Sequence, residues 1–295
     1  MSASASHLDA NYGVQPVTIG EALHDAAKRL SVCSTTARLD AEVLLAHVLG
    51  LSRAQLLARL NHRPDAEQLA RLEELVRRRQ QGEPVAYLTG HREFFGLDLF
   101  VTPDVLVPRP ETESLVEACL ELLPPDQPRL VADVGTGSGA IAVALAVHRP
   151  LARVYATDIS CAALAVAERN CRKHDVQHRV VLLPGDLLAP LPERVHIIAA
   201  NLPYVPEGEA SPEVAMWEPH VAVFGGGQDG TDLIRRFLAQ APHYLLPGGA
   251  VVMETAHSQG ALVAELARSA FDYAGVNVEL RKDLAGYDRI VVLRS

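Results

Sequence analysis

The residues best suited to chemistry are polar or flexible ones placed where strands run out. Asp133 sits inside the apolar run RLVADV, Asp158 ends RVYATD, Asp186 follows RVVLLP, and Asn201 ends RVHIIAAN. The first run leads straight into GTGSGA, where Gly135, Thr136, Gly137, Ser138 and Gly139 form a tight turn and a helix begins near Ser138 to Ala140. Glycines let the backbone bend sharply and let a ligand approach closely. A helix N-terminus behind the turn leaves free N–H groups facing outward. Gly135, Gly137 and Ala140 also satisfy the G-x-G-x-x-G/A dinucleotide fingerprint, so the loop alone leaves the ligand open. Asp158 is placed either to accept hydrogen bonds from ribose hydroxyls or to cap the next helix, a task for which Ser160 is better placed. Asp186 could take an adenine amino group, with Leu187 against the ring, or could serve the turn after Gly185. Asn201, Leu202, Pro203 and Tyr204 read as a turn or as a site. Ligands of open α/β sheets bind beyond the carboxyl ends of the strands, and Gly135, Asp158, Asp186 and Asn201 all fall there.

Three kinds of element must position them. Up to about residue 81 the periodicity is helical in IGEALHDAAKRL, ARLDAEVLLAHVLG and DAEQLARLEELVRRRQ, with Thr18 and Asp65 as caps. This predicts a helical domain over 1–81, suited to partner recognition because it carries no glycine loop and no acid–base constellation. Residues 82–110 alternate short apolar stretches with turn residues, as a β-hairpin linker would. From 111 to 295 strands and helices alternate, which predicts a parallel sheet with helices on both faces. The tail departs from this: VNVELRKD and RIVVLRS, joined through LAGYD, predict two strands that pair antiparallel at the sheet edge.

Composition narrows the function. A net charge of −9 and no large basic cluster disfavour stable nucleic-acid binding. The one basic run, Arg77 to Arg79, lies beside Glu73 and Glu74 and reads as the wet face of a helix. The four cysteines, at 33, 119, 161 and 171, form no C-x-x-C pair and read as reduced, buried residues of a cytoplasmic protein. His174 and His178 stand four apart without a suitable third ligand, so no metal site is expected. The opening MSASASHLDANYG lacks the pattern of a signal peptide, and no run is apolar for long enough to span a membrane.

Taken together, DVGTGSGAIA, ATDIS and a strand ending in Asn-x-Pro-Tyr resemble a class I S-adenosylmethionine-dependent methyltransferase of the amino-methylating kind. The further stretches GEPVAYLTGHREFFGLDLFVTPDVLVPRPETE, WEPHVAVFGGGQDG and DLAGYDRIVVL are similar to the release factor glutamine methyltransferase family. The resemblance implies a Rossmann-like seven-stranded methyltransferase sheet with an antiparallel edge strand, preceded by the small helical domain. It implies methylation of the glutamine amide in the Gly-Gly-Gln tripeptide of peptide chain release factors. Gly135 to Gly139, Asp158, Asp186, Leu187 and Asn201 would line the cofactor, Asn201 to Tyr204 would hold the glutamine, and Arg109 to Thr112 would close over the cofactor side. The family pattern reads Asn-Pro-Pro-Tyr, and Leu202 stands in the first proline place. That frees Asn201 from the restriction a following proline imposes and predicts a less preorganised loop. The GGQ of Gly226, Gly227 and Gln228 repeats the substrate tripeptide by coincidence.

The chemistry explains the residue types. An amide nitrogen is a poor nucleophile because its lone pair is delocalised into the carbonyl. Two acceptors, the Asn201 side-chain oxygen and the Leu202 carbonyl, can bind its two N–H groups, orient it, and stabilise the positive charge that develops as the new bond forms. Tyr204 would offer a flat face with a polar tip to the planar amide. An adenine methyltransferase would need the same motif, but the acidic balance opposes it. A ribosomal protein is another possible glutamine substrate. A nicotinamide-dependent dehydrogenase gives Asp133 and Asn201 no task, and a non-catalytic binding module has no use for the polar crevice.

Overall fold

The computed structural model describes residues 17–271, 276–283 and 285–295. The opening stretch read above for export, and Leu284 of the LAGYD turn, lie outside them. The described residues form two compact units that divide between Thr89 and Gly90.

The first unit is helical: α1 (Ile19–Leu30), α2 (Ala37–Leu49), α3 (Arg53–Leu57), α4 (Ala66–Gln80) and α5 (Val85–Thr89). Thr18, Ser52 and Asp65 each cap a helix in a reciprocal box with the residue three positions on, which satisfies orphan N–H groups at both ends of the box. Leu23, Leu30, Leu44, Leu45 and Leu56 are fully buried between the helices. Two expectations change here. The stretch Val85–Thr89, assigned to the linker, is a helix, because Leu88 buries in the core of this unit and the Tyr87 and Leu88 N–H groups return to the Pro84 carbonyl. Arg79 is not on a wet face: it lies on the buried side of α4 with Leu72 and Val76 and reaches Asp40 at 2.9 Å. Arg77 and Arg78 pair with Glu74 and Glu83, so the basic run offers little free positive charge.

The second unit begins with the hairpin β1 (His91–Phe94) and β2 (Leu97–Phe100), then a 3-10 turn at Pro110–Thr112 leading into α6 (Glu113–Leu122). Alternation follows: β3 (Arg129–Val134), α7 (Ala140–His148), β4 (Ala152–Asp158), α8 (Cys161–Lys173), β5 (Val180–Pro184) and β6 (Val195–Ala200). Short helices α9 (Pro212–Trp217) and α10 (His220–Val223) precede α11 (Asp232–Tyr244), β7 (Leu245–Glu254), α12 (Gly260–Ala270), β8 (Asn277–Lys282) and β9 (Asp288–Arg294). The seven-stranded sheet has the order β5-β4-β3-β6-β7-β9-β8. Five strands are parallel, and β9 inserts antiparallel between β7 and β8. Separate apolar clusters cover its two faces. No helix among the described residues is long and apolar enough to cross a membrane.

Candidate active site

Register puts the polar residues together. Val134 of β3 pairs with Thr157 of β4 on one side and Ala200 of β6 on the other, and Asp158 pairs with Pro184 of β5. One residue further on, the strands deliver Gly135, Asp158, Gly185 and Asn201 to one edge. The chain's strand order reverses between β4 and β6 around β3, which is where open sheets form ligand crevices. A cavity of about 620 Å³ opens there, well within the range of small-molecule sites. Gly135, Thr136, Gly137, Ser138, Asp158, Asp186, Leu187 and Asn201 to Pro203 line it. Gly139 lies behind, as the N-cap of α7.

The glycine loop is held from three directions. Gly135 and Thr136 donate their N–H groups to the Thr157 carbonyl, each at 2.9 Å. Gly137 N–H donates to Asp158 Oδ2 at 2.8 Å, while Oδ1 of the same carboxylate accepts from Ser160 N–H at 2.9 Å. Asn170 of α8, fully buried, donates to the carbonyls of Phe100 and Ser138 and accepts from Phe100 N–H. Gly135 has φ +72°, and a Cβ there would come 3.2 Å from the Leu202 side chain, so only glycine suits the position. Ser160 caps α8 through Ala163 N–H, which leaves Asp158 to the loop and the cavity. Burial raises the Asp158 pKa, opposed by the N–H groups of Ser160 and Gly137.

Asp133 does not line the cavity. Its Oδ2 accepts from Thr136 Oγ1 at 2.6 Å and Ala142 N–H at 3.1 Å, joining strand, loop and helix. Burial pushes its pKa up to about 7. An acid that holds its proton more tightly folded than unfolded stabilises the fold fully below about pH 4, and loses that contribution as pH climbs through its folded pKa. The free energy of urea unfolding should therefore lose on the order of a few kcal/mol from this group between about pH 4 and pH 8. Asp133→Asn lacks the titrating group, so it should gain on the wild type from pH 5 to pH 8. A difference between the two that is constant with pH would contradict this.

Asn201 donates Nδ2–H to Thr112 Oγ1 at 3.0 Å. Among the described residues, no hydrogen bond claims Asn201 Oδ1 or the Leu202 carbonyl. The Leu202 side chain is buried in the core cluster on one face of the sheet. That burial and the Thr112 bond anchor the segment where a proline is missing, so the looseness expected of it has a counterweight. The tip of Tyr204 was expected against a substrate amide, yet its hydroxyl donates to Glu254 Oε1 at 3.2 Å. Burial and the adjacent Glu254 charge hold the phenol above its ordinary pKa. The loop from Gly225 to Gly230 braces the segment from behind: Gly225 N–H donates to the Val205 carbonyl, and Gln259 Nε2 bridges the Tyr204 and Asp229 carbonyls at 2.8 and 2.7 Å. Gln228 of the GGQ stretch is exposed in this turn.

A second cavity of about 230 Å³ adjoins the first and shares Asn201, Leu202 and Pro203 with it; Tyr204, Val205 and Val214 line its far side. Leu106 and Arg109 line both. Glu218 fixes them by accepting from Val107 N–H at 3.1 Å and from the Arg109 guanidinium. Asp186 pairs with Arg236 at the rim of the larger cavity. The sequence reading missed Glu218, Glu254, Asn170 and Gln259. Glu254 had a signal, since it ends the apolar run GAVVMET as Asp158 and Asn201 end theirs.

The chain is similar to known proteins. Residues 21–90 match the PrmC N-terminal domain and residues 113–218 the Methyltransferase small domain. The chain is 45% identical over 277 residues to a release factor glutamine methyltransferase of Moorella thermoacetica, covering 92% of this chain and 97% of that one. It is 41% identical over 279 residues to a release factor glutamine methyltransferase of Coxiella burnetii, covering 94% and 99%. A crystal structure of a methyltransferase from Pyrococcus furiosus aligns with a TM-score of 0.51 at 19% identity, over 74% of this chain and 95% of that chain. That likeness concerns the fold.

Proposed function

The chain belongs to the release factor glutamine methyltransferase family, and from that membership we propose that it methylates the glutamine amide nitrogen of the Gly-Gly-Gln tripeptide in peptide chain release factors. The observation that carries the reading is the meeting of two cavities at Asn201, Leu202 and Pro203. The larger has the size and the donor set for S-adenosylmethionine. Gly135 to Ser138 offer backbone that can be approached closely, Asp158 offers acceptors for ribose hydroxyls, and Asp186 with Leu187 offers an acceptor beside an apolar face. When bound, that cofactor supplies a methyl group activated by a sulfonium centre.

The smaller cavity suits a glutamine side chain. Asn201 Oδ1 and the Leu202 carbonyl accept the two amide N–H groups and fix the nitrogen at the boundary of the cavities. They also stabilise positive charge as it grows on that nitrogen, the acceptor counterpart of an oxyanion hole. No strong base is needed, because the methylated, protonated amide is very acidic and gives its proton to water. Arg109 and Glu218 keep the wall shared by the cavities in place. The helical unit contributes to recognition of the release factor, and the protein acts in the cytoplasm without stable nucleic-acid binding.

Calorimetric titration tests the cofactor half of this reading. S-adenosylmethionine should bind at a single site, and Asp158→Ala should weaken it by about 10–100-fold, the worth of one or two hydrogen bonds to a charged group. Unchanged affinity in that variant would remove Asp158 from the site.

A further inference from the structure

Leu187 holds a left-handed backbone conformation, with φ +51°, which among the described residues other than glycine only Phe95 and Asp175 share. In that region the Cβ crowds the following carbonyl oxygen, and the conformation persists only where the surroundings impose it. Leu187 is buried and lines the larger cavity beside Asp186. Two side chains from different elements hold it there. The Thr157 hydroxyl of β4 donates to the Leu187 carbonyl at 2.8 Å, and Gln240 Oε1 of α11 accepts from Leu188 N–H at 3.1 Å. That carbonyl and that N–H belong to one peptide unit. Because the unit is planar, fixing both of its ends fixes its rotation between the Leu187 and Leu188 Cα atoms. Thr157 is itself fully buried and lines neither cavity. Its own carbonyl accepts from the Gly135 and Thr136 N–H groups, so one residue ties the glycine loop to the loop of Asp186 and Leu187.

We propose that Thr157 is a positioning residue for the cofactor's base: its hydroxyl holds the Leu187–Leu188 peptide so that Asp186 and Leu187 meet one adenine ring together. Without that hydroxyl the peptide unit is free to turn, and Leu187 can return to the right-handed region that its side chain favours. The Asp186 acceptor and the Leu187 face would then no longer be set against the same ring. This inference rests on the proposed place of Asp186 and Leu187 at the adenine end of S-adenosylmethionine.

The test is calorimetric titration of wild type, Thr157→Val and Thr157→Ser with two compounds, alongside thermal unfolding. One compound is S-adenosylhomocysteine, and the other is its analogue with hydrogen in place of the 6-amino group. Wild type should prefer the amino compound by about tenfold or more, the worth of one hydrogen bond to a charged acceptor. Thr157→Val keeps the branched shape without the hydroxyl, and its preference should fall to about twofold or less. Thr157→Ser keeps the hydroxyl and should keep most of the preference. A residue that serves stability alone would lower Tm and both affinities alike, and would leave the preference unchanged. Wild-type preference in Thr157→Val, or a preference in Thr157→Ser as low as in Thr157→Val, overturns the proposal. If Thr157→Val does not fold, Gln240→Met decides, because it releases the N–H end of the same peptide unit: a lowered preference supports the proposal and an unchanged one overturns it. A wild type that binds both compounds equally overturns the adenine reading of Asp186 as well.

Discussion

Replacing Asn201 by alanine is expected to lower kcat for methyl transfer by about 10²–10³-fold, the usual cost of removing one preorganised group that stabilises transition-state charge. The site gives this residue two tasks. Its Nδ2 is tied to Thr112 at 3.0 Å, and its Oδ1 is left to accept from the substrate amide. Alanine removes both and leaves the Leu202 carbonyl as the sole acceptor. The nitrogen would then be bound by one N–H group and would swing off the line of transfer, which costs orientation as well as charge stabilisation. The cofactor cavity keeps its glycine loop, Asp158 and Leu187, so S-adenosylmethionine binding should survive largely intact. Single-turnover kinetics with saturating cofactor separate the two effects. A variant with wild-type turnover would remove Asn201 from the mechanism.

The second large effect is expected at Gly230, which lines neither of the two cavities. Its φ is +72°, and a Cβ would sit 2.2 Å from the Tyr204 carbonyl oxygen and 2.9 Å from Pro206 N. Both neighbours are backbone, so alanine can fit only if the Tyr204–Pro206 segment moves. The left-handed conformation costs about 1–2 kcal/mol, and overpacking adds about 1–3 kcal/mol. Displacement of Tyr204 also pulls on Gln259 and on the Asn201–Leu202 acceptor pair. Gly230→Ala should therefore lose several kcal/mol of stability and most of its transfer activity. Gly248 is the control: its φ is +74°, with nothing within 4 Å of its Cβ position. Gly248→Ala should show only the conformational cost of about 1–2 kcal/mol, with activity retained. Chemical denaturation and transfer assays on the pair check this, and equal behaviour of the two would contradict the bracing role.

The sheet was readable because its strands are short apolar runs that each stop at a polar or glycine residue. The same pattern located the crevice, since an open sheet binds at those stops and register aligns Gly135, Asp158 and Asn201 to within a residue. What the sequence concealed depends on pairings between distant positions. Thr112 meets Asn201 across 89 residues, Tyr204 meets Glu254 across 50, and Arg109 meets Glu218 across 109. Nothing local marks such partners, so the polar tip of Tyr204 was assigned to the substrate when a buried carboxylate takes it. The role of Asp133 was hidden differently. A carboxylate inside a strand was a sign that the neighbouring loop is a site, and its own task is to fasten that loop to its helix. In the helical unit, three adjacent arginines looked uniformly wet, yet helical geometry turns Arg79 inward to Asp40. Leu202 was a departure from a pattern, and its buried side chain gives the departure a packing role that proline would not have in the same form.

The central claim, that two acceptors at a strand end present a protein glutamine amide for methylation, has one direct test. The protein and S-adenosylmethionine are incubated with a purified release factor and, separately, with DNA, and the products are analysed by mass spectrometry. The account predicts a single added methyl on the glutamine of the Gly-Gly-Gln tripeptide and none on DNA. A methyl on DNA, with that glutamine unmodified, would contradict it.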